Sequence, residues 1–142
     1  MDIHDFMSRY KQVWEGRDPP GFAALFTPDG QYHNTPFQKQ TGPDQLAAYW
    51  ERILLQEDIS LRYNVLSDEG DTGIAYWNVT YQVASEELFQ IWAASAGTGL
   101  PDRQPGDPLP RMELDGMLAA RFSPSGLAQE VRIWWHSTAL PA

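Results

Sequence analysis

At 142 residues the chain is long enough for one domain that buries on the order of two thirds of the surface of its unfolded form, so a core is attainable without staples. Cysteine is absent, which removes disulfides, thiolate metal sites and thiol nucleophiles and agrees with a reducing compartment. A formal charge of -9, two lysines and no basic run make nucleic acid and an anionic membrane poor partners, and neither is expected.

Six each of Trp, Tyr and Phe are the informative excess, because such side chains concentrate in cores, interfaces and ligand cavities. The first residues carry no basic region followed by an apolar run, and no stretch approaches the length of a membrane span, so a soluble, cytoplasmic protein is expected. Asn78-Val79-Thr80 matches a glycosylation pattern but falls inside an expected strand and reads as chance.

Asp2 can cap a helix in which Ile3, Phe6, Met7, Tyr10, Val13 and Trp14 recur at helical spacing up to Glu15, and Gly16 stops it. Asp18-Pro19-Pro20 opens a short second helix with Phe22, Leu25 and Phe26 on its apolar side, ended by Thr27-Pro28. Asp29-Gly30 turns into a short strand, Gln31 to Asn34, which Thr35-Pro36 interrupts. A third helix follows Gly42-Pro43, with Thr41 as its cap and Leu46, Tyr49, Trp50, Ile53 and Leu54 facing inward.

Two strands come next, Ile59 to Leu66 and Gly73 to Val83, the second with Trp77, Val79, Tyr81 and Val83 on one face. Between Ala84 and Pro110 the periodicity fails. Leu88, Phe89, Ile91 and Trp92 fit neither helix nor strand cleanly, and Gly97 to Pro110 reads as a loop, either a lid or a loose insertion.

Met112 to His136 reads as a hairpin. Leu114, Leu118, Ala120 and Phe122 share a face with Val131, Ile133 and Trp135, and Ser123-Pro124-Ser125-Gly126 fits a type I turn with Gly126 at positive φ. That turn places Phe122 near Leu127, Leu118 near Val131 and His136 beside Glu113, while a one-residue bulge brings His136 nearer Asp115. Helices first and a meander afterwards describe an α+β domain in which three helices cover one face of a curved, mostly antiparallel sheet. The other face carries Met117 and Trp134, and a homodimer packing sheet against sheet would cover them.

Three stretches, W-E-G-R-D-P-P-G-F-A-A-L-F-T-P-D-G-Q-Y-H from Trp14 to His33, G-P-D-Q-L-A-A-Y-W from Gly42 to Trp50, and L-D-G-M-L-A-A-R-F with I-W-W-H at the end, resemble the SnoaL-like branch of the NTF2-like superfamily. The resemblance covers residues 1–142 as a single domain, apart from the irregular insertion at about 84–110, and implies a cone of three N-terminal helices on a curved sheet. It is nearly silent on function, since this fold hosts isomerases, cyclases, hydrolases, dehydratases and proteins without chemistry.

By similarity to ketosteroid isomerase, a catalytic tyrosine falls on Tyr10, the base aspartate on Asn34 and the oxyanion aspartate on Leu118; the family's use of these groups is a standard case of tuned acid–base chemistry. An amide is no base near neutrality and a leucine neither donates nor accepts, so isomerisation by that route is not expected. The resemblance also implies a pocket lined by Tyr10, Trp14, Tyr32, Asn34, Tyr49, Trp50, Trp77, Tyr81, Leu118 and Trp135.

The weak catalytic candidates are His33, placed by alternation on the outer face, His136, and Asp115, which reads mainly as strand-end geometry. Glu86 or Glu87 could supply a carboxylate from the insertion. The three histidines are scattered and neither a phosphate loop nor a serine-hydrolase elbow occurs, so no metal and no cofactor is expected. Three readings follow: a binding module for a small, largely apolar molecule, a SnoaL-like enzyme acting on a carbonyl or cyclic metabolite, and a dimeric scaffold whose cavity Trp side chains have filled.

Overall fold

Asp2 accepts a hydrogen bond from the Asp5 amide and Asp5 reciprocates, a capping box that starts α1 (Ile3–Glu15) where the sequence places it. In the computed structural model, which describes residues 2–94 and 103–140, Gly16 ends that helix and Asp18 caps α2 (Pro19–Ala23). The chain continues as β1 (Phe26–Thr35), β2 (Gln38–Thr41), α3 (Gly42–Trp50), a 3-10 turn (Glu51–Leu55), β3 (Gln56–Asp68), β4 (Thr72–Val83), α4 (Glu86–Ala94), β5 (Arg111–Phe122) and β6 (Ala128–Ala139).

The six strands form one mixed sheet in the order β2-β1-β6-β5-β4-β3. Only β1 against β6 is parallel among these pairs; the others are antiparallel. One hydrophobic cluster joins α1, α2 and α3 to the inner face of this sheet. Its centre is aromatic: Phe22 stacks on Trp50 with centroids 3.9 Å apart, and Trp14 packs edgewise with Trp50 and tilted against Trp77. Gly73 lets α1 approach β4, because a Cβ there would stand 2.4 Å from the Ile3 Cβ.

Several expectations are corrected. β1 begins at Phe26 rather than Gln31; Pro28 falls in the interval between Phe26 and Gln31 where pairing with β6 is interrupted, so its missing N–H breaks no ladder bond. Thr35-Pro36 does not end the pairing but turns the chain into β2, whose sequence Gln-Lys-Gln-Thr has no apolar alternation to announce it. Thr41 makes no side-chain cap on α3; its own amide donates to the Gln45 side chain at 2.9 Å. Leu54 is 47% exposed because the helix tightens to 3-10 after Trp50, which rotates that position off the inward stripe.

The ambiguous stretch after Ala84 is a helix, α4, opened by the Ser85 hydroxyl accepting from the Leu88 amide at 3.2 Å. The loop expected at Gly97 to Pro110 lies outside the described residues up to 102; from 103 it is irregular. The β5–β6 turn has Gly126 at φ 88° as expected, but the strands pair two residues out of the simple register, Leu118 with Ile133 and Ala120 with Val131. A shift between Arg121 and Phe122 absorbs an additional residue near Gln129, and alternation survives because a shift by two keeps every side chain on its face.

Candidate functional site

Between the helices and the concave sheet lies a cavity of about 550 Å³. α1 contributes Trp14, β1 Tyr32 and Asn34, α3 Tyr49 and Trp50, and β4 Trp77 and Tyr81. β5 and β6 add Leu114, Ile133 and Trp135, while α4 closes one side with Leu88 and Ile91, three residues apart on one helical face. Eight of the ten residues anticipated for ligand binding therefore share this wall.

Tyr10 and Leu118 do not. Both are fully buried in the core, and Tyr10 is held by a 2.7 Å hydrogen bond between its hydroxyl and that of Tyr32. It is Tyr32, not Tyr10, that faces the cavity, because the pair spans the gap between helix and sheet and leaves the helix residue behind. Burial in apolar surroundings pushes both phenols well above the ordinary tyrosine range. They are neutral hydrogen-bonding groups at any physiological pH.

The polar lining is tied down. Asn34 donates to Gln38 at 3.2 Å and accepts from Gln40 at 3.2 Å, and its backbone carbonyl accepts the Trp135 indole N–H at 2.7 Å. Gln56 accepts from the Trp14 indole at 2.8 Å, and Trp50 donates to the Val13 carbonyl. The Trp77 indole nitrogen, by contrast, is buried without a partner among the described residues. Gly116 makes room for that ring, since a Cβ there would meet it at 2.7 Å.

Tyr49 is pushed up by burial, with Arg52 and the Asn34 side chain acting in the opposite sense. Arg52 lies over the Tyr49 ring, 4.0 Å from its centroid. Among the described residues the lining contains no aspartate, glutamate or lysine; Arg52 and His136 are its groups able to carry positive charge.

The proton-transfer candidates separate. His33 is on the outer face, 3.3 Å from Gln31, with its pKa lowered by burial first and by Arg132 second. Asp115 is exposed on the same face, accepting from the Tyr76 hydroxyl and from Asn78 at 3.0 Å. His136 stands opposite Asp115 in the ladder, as the bulged register requires, but their side chains form no ion pair and His136 sits exposed at the cavity rim. Glu86 is turned to Arg103, which donates to it at 2.7 and 2.8 Å and lowers its pKa to about 2, and Glu87 is exposed.

The sequence reading missed Arg52, Phe37, Gln38, Gln56, Leu88 and Ile91 in this wall, and Trp134, expected only on the outer face, also reaches it. Arg52 carries the one available signal, its position three residues beyond Tyr49 as the helix runs on.

The family model described as SnoaL-like domain matches residues 7–107. The chain belongs to the SnoaL-like family. No curated protein sequence matches it. Among solved structures this SnoaL-like protein is similar to the epoxide hydrolase/cyclase-like enzyme SalBIII of pyran ring formation in the polyether salinomycin. The TM-score is 0.69 at 9% identity, over 96% of this chain and 95% of that one. It is also similar to a hypothetical protein with a ketosteroid isomerase-like fold from Catenulispora acidiphila, solved in complex with trimethylamine. There the TM-score is 0.62 at 13% identity, over 93% and 85% of the two chains. At these identities the likeness is one of fold. Among the described residues no helix is long and apolar enough to cross a membrane.

Proposed function

We propose that the SnoaL-like cavity binds a small, largely apolar molecule, held by ring contacts from Trp14, Trp50, Trp77, Tyr49 and Trp135 and oriented by the few polar groups at its wall. The observation that carries this reading is an aromatic space of about 550 Å³ whose described lining holds no carboxylate. That volume lies within the range of small-molecule sites. It also counts against a scaffold whose cavity Trp side chains have filled. The test is a titration with a panel of polycyclic and aryl metabolites, read by tryptophan fluorescence and melting temperature. A true ligand quenches the lining indoles and, at a hundredfold excess over its Kd, adds about 2.7 kcal/mol of stability. A panel that moves neither reading removes the proposal.

A second reading, SnoaL-like chemistry on a carbonyl or cyclic metabolite, is favoured by one feature, the rim position of His136 on the lining. Histidine is the side chain most often used as a general acid or base. Similarity to a protein described as epoxide hydrolase/cyclase-like agrees with such chemistry. His136→Gln would then abolish turnover while sparing binding. We further propose that the outer sheet face pairs two copies of the chain and that the protein is cytoplasmic.

A further inference from the structure

We propose that the molecule held in the cavity is an amphiphilic organic anion, its apolar body among the indoles and its carboxylate, sulfonate or phosphate on the guanidinium of Arg52. This rests on the reading of the cavity as a binding site and adds the chemical class of its occupant.

Arg52 is built for such a contact. It stands on the 3-10 turn that follows α3, half-buried, and is part of the cavity wall. Its Nε donates to the Tyr49 carbonyl at 3.1 Å and its plane rests over the Tyr49 ring, so the side chain is oriented before any ligand arrives. A fork held in place loses little further freedom on binding an oxyanion.

Among the described residues neither Nη group has a hydrogen-bond acceptor, so both remain to donate. No carboxylate pairs with Arg52 among the described residues; Arg9, Arg17 and Arg62 are likewise without an acidic partner there, but Arg52 alone of these four is part of the cavity wall. An Arg beside a wall whose described lining holds no Asp or Glu is a local reversal of the overall sign of a chain with 19 acids and 10 bases. The net charge of -9 repels anions at long range, so any preference for them must come from this position. Planar recognition of an oxyanion by two parallel N–H groups is what the free edge of a guanidinium provides.

The test uses two probes that share one ring system, anilinonaphthalene sulfonate and the neutral N-phenyl-naphthylamine, titrated into the whole protein by fluorescence. The expected result is that Arg52→Gln weakens the sulfonate about tenfold, the scale of one charge-assisted hydrogen bond, and changes the neutral probe less than about twofold. Arg52→Lys recovers part of the loss. Added salt screens the long-range repulsion in both proteins but the Arg52 attraction in only one, so it favours the sulfonate less in the unmodified protein than in Arg52→Gln. The variant's melting temperature and circular dichroism establish that it is folded. Equal effects of Arg52→Gln on both probes would overturn the assignment while leaving the cavity a binding site. So would binding of the neutral probe alone. Failure of both probes to bind would overturn this inference together with the reading beneath it.

Discussion

The paired hydroxyls of Tyr10 and Tyr32 set the behaviour of the first candidate position. Each is buried among rings and each has the other as its hydrogen-bond partner at 2.7 Å. Removing one hydroxyl strands the other in an apolar core, which costs about 1–3 kcal/mol, whereas removing both leaves nothing unsatisfied. Tyr10→Phe and Tyr32→Phe are each expected to lower the urea midpoint, and the double variant to be more stable than the sum of the single losses predicts. Additive losses would mean that the pair is not coupled. The resemblance places Tyr10 at a catalytic position, yet nothing in the residues near Tyr10 reveals that Tyr32, twenty-two positions later, comes between it and the cavity. Periodicity identifies which residues turn inward; it does not rank them by depth.

At the scale of elements, α4 was the stretch that the sequence left open, because Leu88, Phe89 and Ile91 are apolar at both helical and strand intervals. What decides it is local: the Ser85 cap, and the Leu88 and Ile91 spacing that lets one helical face complete the cavity wall. The register of the β5–β6 hairpin was legible only to within a two-residue shift, since pattern fixes the face and a bulge changes the pairing without altering the face. Strand β2 was invisible, its polar residues being held by backbone pairing at the sheet edge. The segment after residue 103 is tied to α4 by the Arg103 fork on Glu86 and by the Gly106 amide. Arg103 holds the Glu86 carboxyl at about 2, below its ordinary 4.5, so the ionised form is favoured in the folded chain. The tether is therefore complete above pH 4.5 and is lost as pH falls from there through about 2. Glu86→Gln is expected to raise amide exchange across residues 103–110 at neutral pH, with little change in the melting temperature. Unchanged exchange would show that the backbone bonds of this segment hold it without the ion pair.

For the molecule as a whole, the helices-then-meander order was enough to anticipate an α+β cone, but not the parallel closure of β1 on β6, which joins residues about a hundred positions apart and leaves no local trace. The outer face of the resulting sheet carries a row, Tyr76 opposite Met117 opposite Trp134, with Ile74 beside it. Trp134 and Ile74 are 49% and 42% exposed, more than an isolated sheet face gains by leaving in water. The proposed pairing of two copies over this row must overcome repulsion between chains that each carry -9. Repulsion of that kind is screened by salt while apolar burial is not weakened by it. Dimerisation is therefore expected to tighten as sodium chloride rises, the reverse of an interface held by surface ion pairs. Sedimentation velocity at several concentrations and two ionic strengths measures this directly. Met117→Lys, which introduces a charge at the centre of the row at a residue that is not itself part of the cavity wall, is expected to give a folded monomer under all of these conditions. A single species of one-chain mass for the unmodified protein, independent of concentration and salt, would show that the row faces water in solution.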